Sequence, residues 1–95
     1  MPLLKKVTSG QNITFIVNAT FSGELFRWQF NGSNITNGEE YSGITTNTLI
    51  ITNIQQEDEG NYTCVVTTSF GVDVTSQPAQ LEVCKYKIVC ILYNS

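Results

Sequence analysis

Histidine is absent from this chain. With it go Ser–His and Cys–His nucleophilic pairs, imidazole metal ligands and the side chain that titrates near neutral pH. Positive charge is scarce as well: five Lys and Arg stand against eight Asp and Glu, for a net charge of −3. The five are scattered rather than gathered into a stripe, which argues against nucleic acid or an anionic membrane surface as a partner. No apolar run approaches the roughly 20 residues of a membrane span. The segment Ile88-Val89-Cys90-Ile91-Leu92-Tyr93 is apolar but far too short. The opening residues Met1 to Lys6 lack the long apolar run of a signal peptide, so the chain is expected to be either intracellular or a piece of a longer secreted protein. Charged residues make up only 14% of the chain, yet 41% is hydrophobic, a balance that favours a packed core over disorder. Lys, Glu, Ala and Met are sparse while Gly, Asn, Ser and Thr are plentiful, which favours strands and turns over helices. At 95 residues the chain makes one small domain with a thin stability margin. A doubly wound α/β enzyme and a helical solenoid are excluded.

Apolar residues alternate along the chain instead of recurring at helical spacing. Ile13, Phe15 and Val17 share one face of a strand, with Asn12, Thr14, Ile16 and Asn18 on the other. Phe26, Trp28 and Phe30 line up against Arg27 and Gln29, and Tyr62, Cys64 and Val66 repeat the pattern. Ser9-Gly10, Ser22-Gly23, Asn31-Gly32, Asn37-Gly38, Glu59-Gly60 and Phe70-Gly71 punctuate these runs as turns. Strands are expected near 4–9, 11–19, 25–30, 33–36, 41–45, 47–53, 61–68 and 72–83, the spacing of a β-sandwich or small barrel.

One segment is far more specific. Leu49, Ile51, Ile54, Asp58, Gly60, Tyr62 and Cys64 fall as L-x-I-x-x-I-x-x-x-D-x-G-x-Y-x-C. Leu49 and Ile51 suit the inner face of a strand, and Ile54 suits the floor of the core. Asp58 can fix a turn, Gly60 can take a positive φ, and the Tyr62 hydroxyl can satisfy a buried backbone group. The pattern resembles the E-to-F region of immunoglobulin-superfamily domains, including the tyrosine two residues before the F-strand cysteine. Trp28 followed by Gln29-Phe30-Asn31-Gly32 resembles that family's C strand and its turn, and Ala79 to Val83 its closing G strand. The resemblance implies an all-β fold, an immunoglobulin-like β-sandwich of two antiparallel sheets, closest to the I-set branch. It covers about residues 3–83 of a domain expected at 1–83 and leaves 84–95 as a short C-terminal tail. The departure is in strand B, where Val17 stands at the family's usual cysteine position. Cys64 then lacks its customary partner, and Val17 and Cys64 are expected to pack as two small apolar groups against Trp28.

Five N-x-S/T acceptors are present, at Asn12, Asn18, Asn31, Asn34 and Asn61, where nine Asn and 19 Ser or Thr in 95 residues would place about two by chance. Strand parity turns Asn12, Asn18 and Asn61 outward, and Asn31 and Asn34 sit at a turn. This excess points to N-glycosylation and a secretory-pathway, extracellular or cell-surface location. Other polar clusters read as structure. Glu57-Asp58-Glu59 lacks the converging oxygens of a calcium site, and the adjacent Glu39 and Glu40 point apart in a loop. Cys84 and Cys90, spaced C-x₅-C, match no standard metal motif. They could bridge each other, bond another chain or remain thiols; a Cys64–Cys84 bridge is not expected, because one is mid-core and the other past the last strand. No catalytic, cofactor or metal site is expected.

Arg27, Gln29, Val65 and Phe70 remain as a shallow, outward patch on the C–F–G face. The function expected is a non-catalytic protein-binding module, part of an extracellular adhesion molecule or cell-surface receptor whose ligand is another protein. The alternative is an intracellular structural I-set module of a giant muscle or cytoskeletal protein, where such domains often lack the disulfide.

Overall fold

Alternation of apolar and polar residues folds this chain into nine strands and a single 3-10 turn among the residues that the computed structural model describes, which are 3–18, 24–36 and 38–84. The strands are β1 (Leu3–Thr8), β2 (Ile13–Ile16), β3 (Leu25–Phe30), β4 (Ser33–Asn34), β5 (Tyr41–Ser42), β6 (Thr48–Ile51), β7 (Gly60–Thr67), β8 (Asp73–Thr75) and β9 (Ala79–Cys84). They make a six-stranded sheet in the order β1-β9-β7-β3-β4, with β8 also on β7, and a three-stranded sheet in the order β2-β6-β5. The expected sandwich is therefore present. One pairing departs from the all-antiparallel expectation: β1 lies parallel to β9, with Leu3 opposite Ala79 and Thr8 opposite Cys84. The chain enters along one edge of the larger sheet, turns at Ser9-Gly10 and returns as β2 in the smaller one. Its first strand therefore runs with the last.

Period-two burial joins the two sheets. Ile13 and Phe15 of β2, Leu49 and Ile51 of β6, Trp28 of β3, Tyr62 and Cys64 of β7, and Leu81 and Val83 of β9 form one buried cluster with Ile54. Val17, Phe26, Phe30 and Val66 pack against it half-buried. The Trp28 indole donates its Nε1–H to the Thr46 carbonyl at 2.8 Å, so the one polar atom of that large side chain is satisfied. Tyr62 stacks on Phe15 with ring centroids 5.3 Å apart and meets Phe30 in a tilted contact at 4.9 Å.

The 3-10 turn Gln56–Asp58 closes the sandwich at one end. Its buried Asp58 carboxylate accepts the Gln55 N–H at 2.8 Å, and the Tyr62 hydroxyl donates to the Asp58 carbonyl at 2.8 Å. Burial pushes the Tyr62 hydroxyl well above its ordinary value, so it stays a neutral donor across the accessible pH range. The neighbouring Glu40 carboxyl is raised too, first by burial and then by the charge of Asp58.

Turn chemistry follows the sequence. Asn31 and Gly32 both take positive φ, 50° and 87°, as the two-residue link between β3 and β4 requires. Gly60 is needed for space as well as conformation: at φ 153°, a Cβ there would lie 2.6 Å from Asn31 Oδ1 and 2.7 Å from the Phe30 ring. The Asn31 carboxamide fills that space and accepts the Asn61 N–H at 2.9 Å.

The strand expected at 72–83 is instead two. Along β7, Tyr62 pairs with Ala79 and Val65 with Thr75, so four steps on one chain meet three on the other. The extra residue falls in Ser76-Gln77-Pro78, where Pro78 has no N–H to give. Ser76 Oγ takes the place of a ladder carbonyl and accepts the Cys64 N–H at 2.9 Å. This is a β-bulge. The strands expected at 33–36 and 41–45 shrink to two residues each. The last strand extends through Cys84, which is buried and paired with Thr8, one residue beyond the expected domain limit. The expected tail beyond it lies outside the described residues.

Candidate interaction face

The outer face of the larger sheet is built by the residues whose neighbours fill the core. Parity turns Leu25, Arg27 and Gln29 of β3, and Asn61, Thr63, Val65 and Thr67 of β7, away from the interior. The register sets Leu25 beside Thr67, Arg27 beside Val65 and Gln29 beside Thr63. On the other flank of β7, Thr75 lies beside Val65 and Asp73 beside Thr67.

Of the four residues expected on this face, the structure exposes Arg27 and Phe70, half-buries Gln29, and hides Val65 at 5% exposure. Val65 must therefore be removed from the accessible patch. It occupies a central strand with Arg27 on one side and Thr75 on the other, and a short branched side chain between them does not reach solvent. Gln29 is tied down as well, its Nε2 donating to Asn34 Oδ1 at 2.9 Å.

Phe70 is 92% exposed, and the hairpin beneath it is braced. The Thr68 hydroxyl accepts the N–H groups of Phe70 and Val72 at 3.3 and 3.2 Å, and the Thr68 N–H donates to the Val72 carbonyl at 2.9 Å. Gly71 at φ 81° lets the chain reverse. Thr67 Oγ1 donates to Asp73 Oδ1 at 2.7 Å one step below. Four of the six large apolar residues that are well exposed among the described set, Leu25, Phe70, Val72 and Val74, gather at this end of the sheet. Val74 is on the inner side of β8, where it lines a groove of about 270 Å³ with Val17, Val66, Thr68 and the acceptor Asn18. Sequence reasoning passed over Leu25, Val72 and Val74. Parity alone turns Leu25 outward and leaves Val72 and Val74 reading as strand residues, and only the layout of the sheets shows that no strand among the described residues covers them.

All five glycosylation acceptors are exposed. Asn12 and Asn18 belong to the three-stranded side. Asn31, Asn34 and Asn61 cluster at the end of the six-stranded sheet remote from the hairpin, since Asn61 is the second residue of β7 and Thr67 closes it, a separation of about 20 Å at strand rise. The Asn12 Oδ1 accepts the Asn53 N–H at 3.0 Å, which leaves Nδ2, the atom that carries sugar, available.

Cys64 is a buried free thiol whose pKa is pushed up by burial, so the thiolate is disfavoured and the group is chemically quiet. Cys84 is disulfide-bonded, and Cys90 lies outside the described residues. Because Cys64 is free, the Cys64–Cys84 bridge is absent, as expected.

A family model described as the immunoglobulin domain matches residues 2–68. No curated protein matches the sequence. Among solved structures, the tandem Ig repeats of Dlar superpose with a TM-score of 0.79 at 24% identity, over 90% of this chain and 46% of that one. Extracellular domains 3–5 of Drosophila OTK give a TM-score of 0.72 at 23% identity, over 90% and 29%. The V domain of amphioxus IgVJ-C2 gives 0.69 at 21% identity, over 83% and 98%. The chain thus spans less than half the length of the Dlar and OTK structures. Likeness at these identities carries the fold alone.

Proposed function

This chain belongs to the immunoglobulin-domain family, and from that premise we propose that it is a non-catalytic, I-set-like protein-binding module of an extracellular adhesion molecule or cell-surface receptor. Its partner surface is the β7–β8 hairpin end of the six-stranded sheet. The observation that carries this reading is Phe70, an aromatic side chain held almost fully in solvent by a braced turn, with Leu25 and Val72 at the same end and Arg27 on the adjoining face. Exposed aromatic and Arg residues are the usual anchors of protein interfaces. The acceptors support the choice of end. Sugars on Asn31, Asn34 and Asn61 would crowd the far end of this sheet and one on Asn12 the opposite sheet, while Asn18 lines the groove on the inner side of the hairpin, so the outward side around Phe70 is the part left bare.

A direct test presents the multimerised domain to an array of recombinant extracellular proteins and remeasures each hit with substitutions. Phe70→Ala is expected to weaken binding by about 2 kcal/mol, roughly thirtyfold, and Arg27→Ala by somewhat less. If both bind normally while a change on the outer face of β2 abolishes binding, the surface is wrongly assigned.

The buried free thiol of Cys64, with Val17 at the position the family gives to cysteine, favours a second reading: an intracellular structural module. Expression in a secretory host distinguishes the two. The extracellular reading expects a faster-migrating band after glycosidase treatment and sugars mapped to at least Asn12, Asn18 or Asn61. Five bare acceptors would favour the intracellular module.

A further inference from the structure

Every open sheet edge invites pairing with another chain, and proteins blunt such edges with charge, brevity or cover. Among the described strands, β1 carries Lys5 and Lys6, β4 and β5 are two residues long, and β8 is three residues long and carries Asp73. The edge strand β2 has none of these protections. Its sequence Ile13-Thr14-Phe15-Ile16 is uncharged, β-branched and aromatic, the composition most prone to strand association.

The geometry leaves that edge usable. Val17 donates its N–H to the Asn47 carbonyl at 2.9 Å and accepts from Asn47 Nδ2 at 3.1 Å, so Val17, Phe15 and Ile13 bond inward to β6. By antiparallel alternation, the N–H and C=O groups of Thr14 and Ile16 point the other way. No strand pairs with them among the described residues. An open groove of about 280 Å³ separates β2 from residues 76–79. Ile16 is 66% exposed on the outer face beside it. The edge is also self-complementary. A second copy laid antiparallel about Phe15 would set Thr14 opposite the copy's Ile16 and Ile16 opposite its Thr14, closing four backbone hydrogen bonds.

Asn12 and Asn18 bracket this strand, one residue before its start and two past its end. They share the parity of Thr14 and Ile16, and span about 20 Å along the edge at strand rise. We propose that the carbohydrates on Asn12 and Asn18 act as a shield for the β2 edge, and that without them the domain pairs with a second copy of itself through β2. This rests on the extracellular reading, because only a chain in the secretory pathway receives these sugars. The shield replaces the charge that the other long edge strand, β1, carries. A bulky, hydrated group at each end lets β2 keep an uncharged, core-forming sequence.

The test compares four secreted proteins by light scattering across a wide concentration range. The glycosylated chain and its Asn61→Gln variant, which loses a sugar far from the edge, are expected to stay monomeric. Asn12→Gln/Asn18→Gln is expected to form a dimer that grows with concentration. Adding Ile16→Pro, which removes an edge-facing N–H at a position where proline is tolerated, is expected to restore the monomer. Trimming sugar from the folded, unsubstituted protein gives the same readout free of any substitution. Intact mass separates the two ways of failing. All five acceptors bare would overturn the secreted reading itself, whereas Asn12 and Asn18 bare with Asn61 occupied would overturn the shield alone. Occupied sites with a monomeric double variant, or a dimer indifferent to Ile16→Pro, would overturn the edge inference.

Discussion

Val17→Cys is expected to raise the melting temperature under oxidising conditions by on the order of 10 °C, and the gain is expected to vanish with reductant. Val17 continues the inward parity of Ile13 and Phe15 and packs, half-buried, against the cluster that contains Cys64 and Trp28. A bridge from position 17 to position 64 would close a loop of roughly 47 residues and contribute about 2–4 kcal/mol. That is a large share of the roughly 5–15 kcal/mol that holds a small domain together. Since Cys84 is already disulfide-bonded, the quantity to measure is the difference between variant and parent, with and without reductant. Peptide mapping that finds free thiols at both 17 and 64 in the folded variant would show that Val17 does not face Cys64. Strand parity would then be one residue out of step.

Trp28→Ala is expected to be the most damaging of the single core substitutions, costing about 3–5 kcal/mol of stability. Trp28 is buried at the centre of β3, directly opposite Cys64 on β7. Its loss opens a cavity in a core that lacks a covalent tie between the two sheets, since Cys64 is free. It also deprives the Thr46 carbonyl of its indole donor. Trp28→Phe keeps much of the ring but not the hydrogen bond, and its cost is expected near 1–2 kcal/mol. Denaturant midpoints for the three proteins separate packing from hydrogen bonding. Equal losses in Ala and Phe would show that the Thr46 bond, not the ring volume, governs this position.

Local chemistry alone determined much of this domain. Alternating faces identified the inward residues of β2, β3, β6 and β7 because side chains in a strand must point to opposite sides. The Asn31-Gly32 turn was legible because two successive positive φ values admit few residue types. Asp58 and Tyr62 were each legible, one to fix a turn and the other to satisfy a buried backbone group, but that the Tyr62 hydroxyl meets the Asp58 carbonyl came from the structure. The remainder depended on which strands lie beside which. Parity places Val65 outward correctly, but whether an outward residue meets water depends on its cross-strand neighbours, and those come from distant parts of the chain. The parallel placement of β1 on β9 joins residues some 76 apart, and the bulge at Ser76-Gln77-Pro78 exists only relative to its partner strand. The same holds for the exposed cluster around Phe70 and the open edge of β2. A sequence specifies which way each side chain turns along its own strand. What covers that side chain is a property of the assembled sheets, whose order is set by long-range pairing.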